Sequence, residues 1–232
     1  MQLNISKKIF TGLVLSCFAS MASANDAIGG VSLGATRVIY PEDAKQISLP
    51  IINHSKKDRY LINAWVENKA EQKSKDFLLT PPLFVAEANT ENTLRVINVE
   101  AQLPTDRESV YWINVKAIPS IDKATLTDKN VLQLAVLSRI KLFVRPKSLS
   151  TTPEMALQKI IITQTGNAVV VDNPSPYHIT FVNLSLDNEK IENIMVDPMA
   201  KTKIVNKAGK KLSYQTVNDF GGLTPVVELN LN

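Results

Sequence analysis

The stretch 131–146, VLQLAVLSRIKLFVRP, has no internal glycine, and its only proline is its last residue. Valine, isoleucine, leucine and phenylalanine dominate it, which predicts a β-strand. Because side chains alternate between the two faces of a strand, one face is apolar almost from end to end. That face carries Leu132, Leu134, Val136, Ser138, Ile140, Leu142 and Val144. The opposite face becomes basic in its second half, with Arg139, Lys141 and Arg145.

Sixteen extended residues span about 50 Å, whereas the mean strand has only about five or six residues. A small β-sandwich cannot easily bury so long a strand along its whole length. An apolar strand left at a sheet edge invites pairing with another chain. Two interpretations therefore stay open: the whole stretch is a core strand, or residues 131–137 pair with the sheet of a partner.

The rest of the chain alternates short apolar runs with turn residues, and no segment has the period of an amphipathic helix. The pattern predicts strands at 31–40, 46–53, 60–68, 92–98 and 110–118 before the long stretch, and six more after it. A short polar linker, residues 147–153, separates the two sets. Many short strands at even spacing are typical of β-sandwiches, so the sequence predicts an all-β chain of two sandwich domains.

The first 24 residues have the form of a secretory signal, with Lys7 and Lys8 before an apolar run and Ala22-Ser23-Ala24 at its end. The apolar run is too short to remain as a membrane anchor, and no later segment predicts membrane insertion. The domains predicted are thus the signal 1–24, a first domain 25–147 and a second domain 148–232. The only cysteine, Cys17, lies in the signal, so the exported chain has no disulfide, which fits a bacterial periplasm.

The formal charge of +4 falls to +2 when Lys7 and Lys8 are removed with the signal. This is too small to favour a nucleic-acid partner, and no basic run interleaved with aromatics occurs. The two histidines, His54 and His178, have no second ligand at metal spacing. Nucleophile elbows and glycine-rich phosphate loops are absent. We therefore predict no enzyme activity, no metal and no cofactor.

Arg37 and Lys141 each lie among apolar residues of a predicted strand. Each could point to solvent from a sheet edge. Alternatively the two could converge on an anion, and a carboxylate would suit them because charge-assisted hydrogen bonds are strong. The residues alone leave both possibilities open.

Seven segments occur in an order that closely resembles the periplasmic pilus-assembly chaperones of Gram-negative bacteria, nearest to the type 1 fimbrial class. They are ATRVIYP at 35–41, TPPLF at 80–84, PTDRES at 104–109, NVKAIPS at 114–120, VLQLAVLSRIKLFVRP at 131–146, NPSPY at 173–177 and TVNDFGGLTP at 216–225. The resemblance covers essentially the whole exported chain. It implies two immunoglobulin-like domains set at an angle with a cleft between them.

The resemblance also implies roles for particular residues. The donor strand 131–146 would complete a pilus subunit that lacks its own last strand, with Leu132, Leu134 and Val136 filling the groove of the subunit. Arg37 and Lys141 would grip the C-terminal carboxylate of the subunit. An ion cluster that fixes the angle between the domains would consist of Glu108, Arg145 and Asp219.

The partners implied are pilus subunits and an outer-membrane usher, with Leu61, Pro82 and Leu83 as the candidate usher contacts. The polar connector 119–130 is short, as in the branch that serves rod-like pili, and the free donor face could be covered by self-association. The alternative functions are an exported all-β adhesin or structural pilus component and an accessory protein of a secreted hydrolase.

Overall fold

The computed structural model describes residues 29–99, 101–120 and 132–231. In these ranges the first half of the chain forms nine strands: β1 Val31–Leu33, β2 Arg37–Pro41, β3 Ile47–Asn53, β4 Tyr60–Glu67, β5 Phe77–Thr80, β6 Leu83–Ala86, β7 Thr90–Asn98, β8 Ser109–Pro119 and β9 Val136–Arg145. The second half forms a helix and eight strands: α1 Pro153–Leu157, β10 Ile161–Thr165, β11 Ala168–Asn173, β12 Ile179–Leu186, β13 Glu189–Lys190, β14 Ile194–Val196, β15 Ala200–Val205, β16 Lys211–Thr216 and β17 Val227–Asn230. The predicted signal, residues 1–24, and most of the connector 119–130 lie outside the described residues.

The first domain is a sandwich of two sheets. One sheet has the strand order β1-β3-β7-β5 and the other has the order β2-β9-β8-β4-β6. Alternate residues point inward, as in β4, where Ile62, Ala64 and Val66 are buried and the residues between them are not. Their partners across the sandwich include Ile51 and Leu94, both fully buried. The apolar period of two therefore places the core between the sheets.

The second domain repeats this architecture on a smaller scale. A sheet of β10-β11-β15 faces a sheet of β13-β12-β16-β17, to which β14 is added beside β12. Val171, Phe181, Leu184 and Leu212 lie in its core, and no residue is shared with the buried core of the first domain. The prediction of an all-β chain with two sandwich domains is confirmed.

The predicted first strand, residues 31–40, was wrong as a single element. β1 pairs with β3 in one sheet, and β2 pairs with β9 in the other. The chain changes sheets around Gly34, whose backbone N–H donates to the carbonyl of Pro50 at 2.8 Å. A Cβ on Gly34 would come within 2.9 Å of the Pro50 ring, so a glycine permits this close crossing. As a result, Arg37 is the first residue of a new edge strand.

The long strand is also shorter than predicted. In place of 131–146, β9 covers Val136–Arg145, while Leu132–Ala135 has no strand pairing and Val131 lies outside the described residues. The ladder with β8 ends at the pair Ala117↔Val136, because Pro119 has no backbone N–H with which to continue it. On the other side, β2 begins only opposite Lys141. Upstream of Lys141, β9 is thus a free edge.

The sequence pattern did not predict helix α1, since five residues are too few to show a helical period, and it also missed four short strands, β5, β6, β13 and β14. The Thr152 hydroxyl caps it by accepting from the backbone N–H of Met155, and Pro153 occupies its first turn. Nowhere in the described ranges is a helix long and apolar enough to cross a membrane.

Candidate functional site

Arg37 and Lys141 lie side by side, because β2 and β9 pair in parallel with these two residues in register. Both cations belong to the first domain, and both donate to the second. Arg37 Nη1 donates to the carbonyl of Val217 at 3.1 Å, and Lys141 Nζ donates to Thr180 Oγ1 at 3.2 Å. The Arg37 guanidinium also lies 5.7 Å from the centre of the Phe143 ring. The pair thus stands at the junction of the domains, at the point where the free edge of β9 begins.

The environment of the pair disfavours two positive charges. Burial, together with the neighbouring Arg37, lowers the pKa of Lys141 to about 8. Burial also lowers the pKa of Arg37, although Asp219 and Glu108 act in the opposite direction. Arg37 Nε is buried and makes no hydrogen bond, and the carboxylates of Glu108 and Asp219 are held by Arg145. A bound anion would relieve the repulsion between the two cations.

Glu108, Arg145 and Asp219 come together as one cluster across the domain junction. Arg145 Nε donates to Glu108 Oε1 at 2.8 Å, and its two terminal nitrogens donate to the carboxylate of Asp219 at 2.6 and 2.8 Å. Burial by itself lowers the pKa of Arg145, but its bonds and attraction to Asp219 and Glu108 outweigh this and raise the pKa above its ordinary value. The guanidinium also lies 5.0 Å from the centre of the Tyr177 ring. The cluster therefore joins β9 to the loop after β16.

Leu132, Leu134 and Val136 are 82%, 68% and 61% exposed. In β9 the same face continues into Ile140, Leu142 and Val144, which pack in the core of the first domain. The apolar face thus runs out of the sandwich beyond Ile140, along the edge that β2 leaves open. Leu137, on the other face, is 52% exposed as well. An exposed apolar face beside unpaired backbone groups is a template for the strand of another chain.

Two family models together match most of the chain. The N-terminal domain model, described as a pili and flagellar-assembly chaperone of the PapD type, matches residues 30–150. The C-terminal domain model of the PapD pili assembly chaperone matches residues 155–227. The chain belongs to the pilus-assembly chaperones. This is a family of assembly proteins that are not enzymes, which confirms the prediction that the chain is not an enzyme.

Individual relatives agree with the assignment to the chaperone family. The probable fimbrial chaperone SfmC of Escherichia coli strain K12 is 48% identical over 223 residues, which cover 95% of this chain and 97% of SfmC. The crystal structure of the periplasmic chaperone SfaE matches with 44% identity and a TM-score of 0.75, covering 86% of this chain and 98% of that one. A chain from the Salmonella enterica complex of the SafA pilin with the SafB chaperone matches with 28% identity and a TM-score of 0.78, covering 87% and 96%.

Sequence reasoning missed several residues at the domain junction of the chaperone. Thr180 and Val217 hold the two cations, but a threonine in an apolar strand and a backbone carbonyl just after a strand give no signal of this role. His178 lies immediately before β12 with its side chain buried, and its backbone N–H donates to Glu108 Oε2 at 2.9 Å. Lys69, in the loop after β4, forms an ion pair with Asp197 of the second domain. Contacts between residues so far apart in sequence are visible only once the domains are in place.

The candidate usher contacts lie on an outer surface of the first domain. Leu61 on β4 and Leu83 on edge strand β6 are both exposed, and Pro82 precedes β6 and is also exposed. Val85, which pairs with Leu61, adds a further exposed apolar side chain that the sequence did not single out. The neighbouring Thr80–Pro81 bond is cis. These residues form an exposed apolar patch at the sheet edge opposite β2.

Proposed function

We propose that this chaperone captures pilus subunits in the bacterial periplasm by lending the apolar edge of 131–146 to them. The observation that carries the proposal is the combination of two features on one strand. A free, apolar edge covers Leu132 to Ile140, and a pair of partly buried cations stands where that edge ends. A subunit that lacks its last strand would supply the matching groove, and its C-terminal carboxylate would supply the anion.

The cation pair would set the register of the subunit strand. From Lys141 back to Leu132 the chain extends over about 30 Å, so one fixed end aligns the whole added strand. A slip of one residue would turn Leu132, Leu134 and Val136 away from the groove of the subunit. Each of these side chains would contribute about 1.5–3 kcal/mol when fully buried. The carboxylate contact thus selects the register, and the apolar face supplies most of the affinity.

We also propose that the patch of Leu61, Pro82, Leu83 and Val85 docks on the outer-membrane usher. It lies at the opposite edge of the same sheet from β2, so a subunit paired with β9 would leave it free. Leu83→Asp should therefore leave subunit capture intact and abolish delivery. The measurement is the yield of chaperone–subunit complex beside the number of surface pili, and wild-type piliation of this variant would contradict the assignment.

The anchor is tested with Arg37→Ala and Lys141→Ala. Loss of a charge-assisted bond of about 1.5–3 kcal/mol predicts roughly ten- to a hundredfold weaker subunit binding. Lys147→Ala is the matched control. Lys147 is an exposed cation two residues after Arg145, and among the described residues it pairs only with Asp43. The measurement is the yield of complex when chaperone and subunit are co-expressed and isolated from the periplasmic fraction. Normal yields from both anchor variants would refute the proposed function, and absence of the chaperone from that fraction would refute its location.

A further inference from the structure

His178 stands in the middle of the contact between the two domains. Its side chain is buried, and its ring lies 5.4 Å from the ring of Phe143 on β9. Ring Nδ1 is 3.4 Å from Glu108 Oε2, and ring Nε2 is 3.6 Å from Asp197 Oδ1. Each ring nitrogen therefore faces a carboxylate, one from the first domain and one from the second.

Each of these carboxylates belongs to a different contact across the junction. Glu108 is held by Arg145, which also binds Asp219 of the second domain. Asp197 is paired with Lys69 of the first domain. His178 thus lies between the ion cluster on one side of the junction and the Lys69–Asp197 pair on the other. The ring is the only described side chain within ion-pair distance of both Glu108 and Asp197.

The protonation state of the ring decides how well it can fill this position. A neutral imidazole donates one hydrogen, so one of its nitrogens must present a lone pair to a carboxylate. An imidazolium donates from both nitrogens. Nδ1 is buried and makes no hydrogen bond in the structure, although Glu108 Oε2 lies only 3.4 Å from it. Ordinary histidines change charge between about pH 5 and pH 8.

Other charged groups surround the ring on both sides. A cavity of about 240 Å³ brings Arg37, Arg145, Glu154 and Asp219 to one side of His178. A second cavity of about 670 Å³ brings Lys69 and Arg107 to the other side. Arg145 and Lys69 are paired with carboxylates, whereas Arg37 donates to the carbonyl of Val217. The two carboxylates that face the ring directly are those of Glu108 and Asp197.

We propose that His178 is a positioning residue that couples the ion cluster to the Lys69–Asp197 pair, and that its protonation tightens the angle between the two domains. When the ring carries a proton on both nitrogens, Glu108 and Asp197 are bridged through it. When the ring is neutral, one of these side-chain links is lost, while the bond from the His178 backbone N–H to Glu108 and the bonds of Arg37 and Lys141 to the second domain remain. The inference concerns the chaperone without a subunit and does not depend on how subunits are bound.

The experiment uses the full exported chaperone with a spin label on each domain. The only cysteine in the sequence is Cys17, in the predicted signal, so cysteines introduced at two exposed positions are labelled specifically. Glu91 on β7 and Lys203 on β15 are exposed and lie on different domains. The readout is the distribution of distances between the labels at about pH 5.5 and about pH 8.

We expect the distribution to be narrower at the lower pH in the wild-type background. His178→Tyr keeps an aromatic ring beside Phe143 and does not gain a charge, so its distribution should be the same at both pH values. His54→Gln is the matched control, because His54 is the other histidine of the chain and is exposed on the first domain; it should retain the wild-type narrowing. His178→Gln serves as a second variant if the tyrosine prevents folding.

A wild-type distribution that does not change with pH would overturn the proposal. So would a narrowing that persists in His178→Tyr or His178→Gln, since another group would then be responsible. Loss of the narrowing in His54→Gln would also overturn the proposal, because it would show that His54 is the histidine responsible. The proposal is supported if the distance distribution narrows at the lower pH only in proteins that retain His178.

Discussion

Leu134 and Leu142 allow a matched comparison, since both lie on the same face of the 131–146 stretch. Leu142 is fully buried in the first domain, whereas Leu134 is 68% exposed. Leu142→Ala should lower the free energy of unfolding by about 2–5 kcal/mol because it removes buried methyl groups and leaves a cavity. Leu134→Ala should change it by less than about 0.5 kcal/mol. For the affinity of the chaperone for a subunit we expect the reverse order, with the larger loss caused by Leu134→Ala.

The expected loss of affinity follows from the exposed fraction of Leu134. Full burial of a leucine contributes about 1.5–3 kcal/mol, and about two-thirds of this side chain is still exposed before binding. Its burial in a subunit groove should therefore contribute about 1–2 kcal/mol, which corresponds to roughly a five- to thirtyfold change in dissociation constant. Leu134→Glu should weaken binding further, because a charge would enter an apolar groove.

The assays are urea unfolding of the free chaperone and measurement of the dissociation rate of a purified chaperone–subunit complex. The decisive quantity is the ratio, for each variant, of its change in dissociation rate to its change in the free energy of unfolding. Differences in expression and solubility cancel in this ratio. If Leu134→Ala destabilised the free chaperone as much as Leu142→Ala, Leu134 would belong to the core of the first domain. If its complex dissociated at the wild-type rate, the exposed face would not be the subunit contact.

Two further predictions concern charge. Arg145→Ala leaves the buried Glu108 without its cation, which should cost about 3–5 kcal/mol and broaden the X-ray scattering profile. Arg107→Ala, which removes a partly exposed arginine next to Glu108 in the sequence, should leave the melting temperature unchanged. Equal melting temperatures for the two variants would mean that the cluster is dispensable. The pKa of Lys141 is lowered to about 8 in the free chaperone, and a bound carboxylate would raise it. Subunit affinity should therefore be greatest below about pH 8, where Lys141 is charged in the free chaperone. It should fall as the pH rises through the higher pKa that Lys141 has in the complex. Lys141→Arg should bind without this pH dependence, and affinity that is constant up to pH 10 in the wild type would exclude a charged Lys141 from the contact.

Periodicity predicted the class of the fold well, because each buried strand shows its inward face in its own residues. It did less well where pairing depends on a distant partner. The apolar pattern of 131–146 is continuous, yet its pairing with β8 goes no further than Val136, because β8 reaches Pro119 there. Its pairing with β2 covers only Lys141 onward, because β2 begins at Arg37. The sheet change near Gly34 was missed for a related reason, since the close approach of Pro50 is not encoded locally.

The charged residues of the domain junction show even more clearly that the sequence does not reveal contacts between distant residues. Resemblance to a family grouped Arg37 with Lys141 and Arg145 with Glu108 and Asp219, and the structure brings each group together. Their role in binding subunits is still a prediction. His178 was set aside in the sequence as a histidine without a second metal ligand. Its two carboxylate neighbours come from a loop before β8 and a turn before β15, so only the packing of the domains reveals them.

If the cation pair binds the subunit carboxylate as proposed, its position ties subunit capture to the domain junction. Arg37 and Lys141 belong to the first domain, but Val217 and Thr180, which accept their hydrogen bonds, belong to the second. A lysine ammonium has three donors and a guanidinium has five, so a carboxylate can bind both cations while these bonds remain. The proposed anion site would therefore be complete only when the two domains keep their angle, which we expect the ion cluster around Arg145 to maintain from the adjacent end of β9. Variants of this cluster should accordingly weaken subunit binding even though they never contact the subunit.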